Sequence, residues 1–161
     1  MSNKNKISFL TEKDYRKFLD YMPIACVDIV VICGGKFLMG KRANAPAKDS
    51  WWFPGGRVLK GETLEEAAVR KIKEELRIKT KTGDYKFLTT DQTIFKDSAR
   101  KGISTHSINS VFLIRLGKKQ DIDIKDSDLA EIKWFDSVEK EFNSYIKKIL
   151  ESVGFEVKKL N

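Results

Sequence analysis

A glycine turn runs into a strongly capped helix in the middle of this chain, and the rest of the fold has to be arranged around that unit. Thr63 and Glu66 have the spacing of a capping box, in which each side chain takes up a backbone N–H that the first turn leaves free. From there Leu64, Ala67, Ala68, Ile72 and Leu76 recur at steps of three and four. The spacing predicts a helix over Thr63–Arg77 with one apolar stripe turned to a core. Glu75 lies at the edge of that stripe. Glu66, Arg70 and Glu74 form one i, i+4 row, and Lys71 and Glu75 form the adjacent one. Upstream, Gly55-Gly56 makes a turn where backbone can approach a ligand closely. Arg57 follows, with a guanidinium fork suited to phosphate or carboxylate, and Glu62 marks the junction of loop and helix. Glu74 and Glu75, side by side near a glycine carbonyl, are a donor set for a hard cation such as Mg²⁺. A solvated charged helix face carries the same pattern, so helix geometry alone leaves both readings open.

The chain has 161 residues, the usual size of one domain, and residues 1–161 read as a single unit without repeats or linkers. At 41% hydrophobic it has material for a real core. A formal net charge of +8 suits an anionic ligand, and is compatible with a nucleotide, a nucleic acid or a membrane surface. The longest apolar run, Ile24 to Cys33, is interrupted by Asp28 and is too short to span a bilayer. The polar N-terminus lacks the apolar core of a signal peptide, which places the expectation in the cytoplasm. Cys26 and Cys33 stand seven residues apart in a predicted strand, on opposite faces and about 23 Å apart, too far for a disulfide.

Thr11 to Tyr21 has helical spacing, with Thr11 as N-cap and Pro23 beyond its end. Ile24–Cys33 and Lys36–Arg42 flank Gly34-Gly35 as a hairpin. Ala43 to Ser50 reads as a loop. Phe87–Phe95, Ser104–Leu116 and Glu131–Phe135 read as further strands. Asp136 and Glu139 predict a second capping box, for a helix running to about Ser152. Helices alternating with strands point to an α/β (α+β) sandwich, a mixed central sheet flanked by helices. Asp28 amid Ala25, Val27, Ile29 and Val31 is costly to bury without a partner, which favours a functional role.

Gly56, Glu62, Arg70, Ile72, Glu74-Glu75 and Ile78, taken with their spacing, resemble the Nudix box, G-x5-E-x7-R-E-U-x-E-E-x-G-U, over 23 positions. Lys71 stands where the box has a glutamate, and Arg77 where it has a glycine. The segment Gly40–Ala47, then Trp52, Pro54–Val58 and Glu62–Glu65, resembles one branch with an incomplete box, the GDP-mannose mannosyl hydrolases. Pro23–Val31 with its central Asp28 is similar to that branch as well, and Thr105-His106 more faintly. This resemblance implies an α/β/α sandwich and cleavage of GDP-mannose to GDP and mannose, by water attacking the anomeric carbon. It implies Mg²⁺ as cofactor, with Mn²⁺ able to substitute, held by the Gly55 carbonyl and Glu75, with Glu74 beside them. Arg42 and Arg57 would contact the diphosphate, and Asp28 would lie by the sugar or the leaving group. Glu62 and Arg70 would brace the loop against the helix. Lys71 would pair with Glu75 and lower the number of metal ions held.

The branch uses a metal-binding glutamine and a histidine base before its last strand. Counting back from Trp134, those places hold Asp128, which can serve as an oxygen ligand, and Leu129, which cannot be a base. His106, Asp126 and Glu131 remain as candidates for the base. Three readings follow: a nucleoside diphosphate sugar hydrolase; a Nudix pyrophosphohydrolase of a nucleoside di- or triphosphate derivative, attacking phosphorus; and a catalytically impaired nucleotide- or RNA-binding domain. Lysines spread along the whole chain, without interleaved aromatics, make nucleic acid the weakest partner. The resemblance also implies a homodimer with the N-terminal helix packed across it. A helix packed on its own domain would show the same pattern.

Overall fold

The computed structural model describes residues 10–98, 100–125 and 127–158, and its sheet is built around one strand, β1 (Ile24–Cys33). From Val27 to Ile32 every residue of β1 is buried, which its run of β-branched side chains suits. The Gly34-Gly35 turn, both residues at positive φ, sends the chain back as β2 (Lys36–Arg42), antiparallel to β1 at Val31–Cys33. β3 (Trp51–Trp52) pairs with β2, and β4 (Gly55–Arg57) returns to β1 at Cys26–Asp28. One edge of β1 is therefore shared between β2 and β4. On its other edge β1 runs parallel to β6 (Thr105–Arg115), which pairs antiparallel with β5 (Lys86–Phe95). β7 (Leu129–Phe135) pairs with β2 and completes a mixed seven-stranded sheet.

Three helices occupy the sheet's surroundings among the described residues. α2 (Leu64–Leu76) has the predicted capping box at Thr63 and Glu66. It lays Ala67, Ala68, Ile72 and Leu76 on the sheet face that carries Val27, Ile29, Val31 and Phe112. α3 (Ser144–Ser152) covers the opposite face, placing Ile146, Ile149 and Leu150 against Val30, Phe37, Met39 and Val111. α1 (Glu12–Tyr21), capped by Thr11 as predicted, packs on its own chain at the start of β1, with Leu19 against Ile24 and Ile103. The sandwich expected from the sequence is the observed architecture. Cys26 and Cys33 are free thiols. Among the described residues no helix is long and apolar enough to cross a membrane.

One element differs from expectation. The residues after Asp136 do not enter a helix at the predicted capping box. The Asp136 carboxylate accepts from the Ser137 hydroxyl instead (2.9 Å). The backbone of Val138 pairs with the C-terminal segment, through Val138 N–H to the Glu156 carbonyl and Lys158 N–H to the Val138 carbonyl (both 2.9 Å). With those groups engaged and Val138 fully buried, the helix begins only at Ser144. Its N-cap is Asn143, whose side chain accepts from the Tyr145 N–H (2.9 Å).

Candidate active site

The glycine turn, the end of α2 and the middle of β1 meet where β4 docks on β1. Gly55 is in register with Asp28, Gly56 with Val27 and Arg57 with Cys26. Gly55 has no room for a side chain, since a Cβ there would collide with the Val27 carbonyl oxygen and lie 2.8 Å from Asp28 Oδ1. Its N–H donates to Glu75 Oε2 (3.1 Å). Glu75 is thus held at the turn by the last part of α2. Burial pushes its carboxyl above the usual range, while the Lys71 ammonium and the Gly55 N–H pull it down. Lys71 Nζ sits 3.0 Å from Glu75 Oε1 and 3.4 Å from Glu74 Oε2. The pairing of Lys71 with Glu75 expected from their spacing is present.

Glu62 and Arg70 lock the loop to the helix. Arg70 Nε and Nη2 donate to the two oxygens of Glu62 (2.5 and 2.9 Å), and Nη2 also reaches the Arg57 carbonyl (2.8 Å). The second oxygen of Glu62 accepts from the Leu59 N–H (2.9 Å). The guanidinium holds the Glu62 carboxyl below its ordinary range. Arg70 Nη1 also bonds Glu74 Oε2 (3.1 Å). This is a two-pronged fork at a loop junction, the arrangement in which an arginine is strongest.

Asp28 opens on the α3 side of the sheet. It is 5% exposed and its Oδ2 accepts from the Tyr145 hydroxyl (2.6 Å). Burial pushes its carboxyl up to about 6, against the pull of Tyr145, Arg42 and the Trp52 indole. The same burial and the carboxylate beside it push the Tyr145 phenol up. On this face a polar row continues along β6 and β5: Asn109 Nδ2 donates to Thr93 Oγ1 (3.3 Å), and Thr93 shares a hydrogen bond with Ser107 (2.7 Å). Sequence reasoning missed Tyr145, Asn109, Thr93 and Ser107. The alternation Thr105, Ser107, Asn109 within a buried strand was a legible signal. Tyr145 was hidden among the apolar positions of α3.

Arg57 stands in β4 on the same side as Asp28, with its guanidinium 4.5 Å from the Tyr15 ring of α1. Arg100, anchored by Glu12, is also 4.5 Å from that ring. Arg42 Nε donates to the Pro46 carbonyl (2.6 Å), and its charge acts on Asp28. Asp128 is exposed, its carbonyl accepts from the Ala43 N–H (3.2 Å), and its charge is felt at Glu75. Leu129 begins β7 and its side chain covers Gly40. Glu131 is exposed on β7. Asp126 lies outside the described residues. His106 is not brought to the cluster. It bonds Gln92 (3.0 Å) on the opposite sheet face from Asp28. Asp28 pairs with Val111, five residues further on, so His106 stands about 16 Å away along the strand.

Among the described residues no three His, Cys, Asp or Glu side chains converge into a ready metal cage. Two carboxylates beside a backbone turn nonetheless fit Mg²⁺. That ion keeps several waters and is usually held by one or two carboxylates together with substrate phosphates. A buried Glu75 whose charge is penalised by its surroundings is also the kind of group a divalent cation stabilises.

Comparison with known proteins finds relatives for the chain as a whole. A family model described as the NUDIX domain matches residues 22–151. The low-salt glycan biosynthesis protein Agl8 of Haloferax volcanii is 27% identical over 146 residues, covering 89% of this chain and 90% of that protein. The ADP-ribose pyrophosphatase of Methanocaldococcus jannaschii is 43% identical over 67 residues, 41% of this chain and 40% of that one. A crystal structure of a MutT NUDIX hydrolase from Burkholderia pseudomallei superposes with a TM-score of 0.67 at 25% identity, covering 82% of this chain and 98% of that one.

Proposed function

This chain belongs to the NUDIX family, and we propose that within it the protein is a hydrolase of a nucleoside diphosphate sugar, cleaving GDP-mannose to GDP and mannose with water attacking the anomeric carbon. The observation that carries this reading is Asp28 set beside the glycine turn, in register with Gly55, with the charge of Arg42 acting on it and Arg57 on the same side of the sheet. Behind it Tyr145, Asn109, Thr93 and Ser107 are buried and hydrogen-bonded among themselves and to Asp28, a polar backing that holds the carboxylate at the turn. The printed name of the Haloferax volcanii relative, a glycan biosynthesis protein, supports a sugar-linked substrate.

In this reading Arg57 and Arg42 bind the diphosphate and offset the charge it gains as it departs. Asp28 orients the sugar beside the turn. Glu62 and Arg70 touch no substrate and keep the Gly55–Arg57 backbone in place. Gly55, Glu75 and Glu74 would hold Mg²⁺, or Mn²⁺ in its stead, and Asp128, whose charge is felt at Glu75, would offer a further oxygen. The ion, when bound, supplies further neutralisation of the diphosphate.

The test is hydrolysis of GDP-mannose with Mg²⁺ in ¹⁸O-labelled water, with the products read by mass spectrometry. Label in free mannose is expected. Label in a phosphorylated product would instead establish attack at phosphorus. The local 43% identity with a protein named as an ADP-ribose pyrophosphatase is the observation that favours that second reading. No turnover of GDP-mannose would remove the sugar reading in this form.

A further inference from the structure

We infer that the Lys71 ammonium is a built-in cation of the metal seat: it occupies the place of one divalent ion between Glu74 and Glu75, so that the site takes a single divalent ion, and takes it in competition with the lysine. The inference rests on the metal assignment in the proposed function and is independent of which substrate is cleaved.

The seat is shaped for the ammonium. Nζ lies within 3.4 Å of both carboxylates, and the Lys71 side chain is only 13% exposed. Gly56, at a φ of 147°, leaves the slot the chain runs through, since a Cβ there would come within 2.9 Å of Lys71 Cε. The ammonium is therefore held by the same turn and the same helix end that would hold the metal. The charges around it are already apportioned. Arg70 forks onto Glu62 and bonds Glu74, while Lys71 spans Glu74 and Glu75. The three carboxylates and two cations leave a net charge of −1 at the helix face. That is enough to attract one hydrated divalent ion, whereas a second would face the positive lysine at close range. An entering ion also has to separate Lys71 from at least one carboxylate, and that separation weakens its apparent affinity.

The experiment counts Mn²⁺ bound per chain by electron paramagnetic resonance, on the full chain without nucleotide. Wild type is expected to bind one ion at this seat, and E75Q to lose it. Lys71→Met removes the ammonium without adding a ligand, and is expected to bind one ion about tenfold more tightly. Lys71→Glu puts a third carboxylate in the slot and is expected to bind two. Two ions in wild type, an unchanged affinity in K71M, or only one ion in K71E would each overturn the inference. So would Mn²⁺ binding that survives E75Q, because the ion would then sit elsewhere. Circular dichroism of each variant verifies that the protein counted is folded. Failure to cleave GDP-mannose would leave this count readable, so the two proposals fail separately.

Discussion

Asp28 shows what a single buried carboxyl contributes to stability. Its carboxyl is buried and hydrogen-bonded to Tyr145, and burial raises it to about 6 in the folded chain. The ordinary aspartate value lies near 4. The folded state thus binds this proton more tightly than the unfolded state does. The associated stability is complete below about pH 4 and is lost as pH rises through about 6. The size is about 3 kcal/mol, roughly two pK units at 1.4 kcal/mol each. Asp28→Asn lacks this titration. In urea unfolding with a chelator present, the stability of wild type relative to D28N should fall by about 2 kcal/mol between pH 4 and pH 7, because the unfolded carboxyl is already about half ionised at pH 4. A flat difference would show that the ionised carboxylate costs nothing where it lies. Asp28 was legible in the sequence as a charge in an apolar strand. Its partner was not, because Tyr145 is 117 residues away and only the packing of α3 on β1 brings them together.

α2 shows at the scale of an element which local signals survive folding. Its capping box, the stripe from Ala67 to Leu76 and the Arg70–Glu74 and Lys71–Glu75 pairs are present, because each depends only on residues within a turn of one another. Leu64, expected in the stripe, is exposed in the first turn, and Glu66 caps Thr63 while Arg70 turns to Glu62 and Glu74. Its C-terminus is the exception. Arg77 caps the helix at φ 58°, in the left-handed region, where the related box has glycine. A side chain in that conformation costs about 1–2 kcal/mol. Against that, Arg77 bonds the Lys125 carbonyl at 3.3 Å from an exposed position. Its charge also favours a helix C-terminus, by about 0.3–1 kcal/mol. Arg77→Gly should therefore be stabilising by about 0.5–1 kcal/mol, read as a rise of about 2 °C in Tm by thermal melting. A lower Tm would mean that the Lys125 contact outweighs the strain. α3 makes the opposite point. Asp136 and Glu139 have the spacing of a capping box, but Val138 between them is claimed by the C-terminal segment, and a long-range backbone pairing overrode a local signal.

Across the whole molecule, Phe37 ties the α3 side together. It stacks on Phe135 of β7 (5.7 Å between centroids) and meets Phe142 and Phe155 edge-on (6.3 and 4.6 Å). Phe37→Ala is expected to cost about 3–5 kcal/mol through the cavity it leaves. That is a large part of the 5–15 kcal/mol typical of a domain. The midpoint of urea unfolding should fall accordingly, and a midpoint near that of wild type would place the core elsewhere. Periodicity along the chain identified the helices, the hairpin and the class of the sandwich, because period and turn chemistry are properties of neighbours. The glycine turn, the Glu62–Arg70 brace and the Lys71–Glu75 pair were legible for the same reason. They lie within 20 residues of one another on one loop and one helix. Strand order, the sharing of one edge of β1 by β2 and β4, and the hydrogen bonds that join Tyr145 to Asp28 and Asn109 to Thr93 were decided by tertiary structure alone. Those contacts join segments far apart in sequence, and no local spacing encodes which buried faces will complement one another.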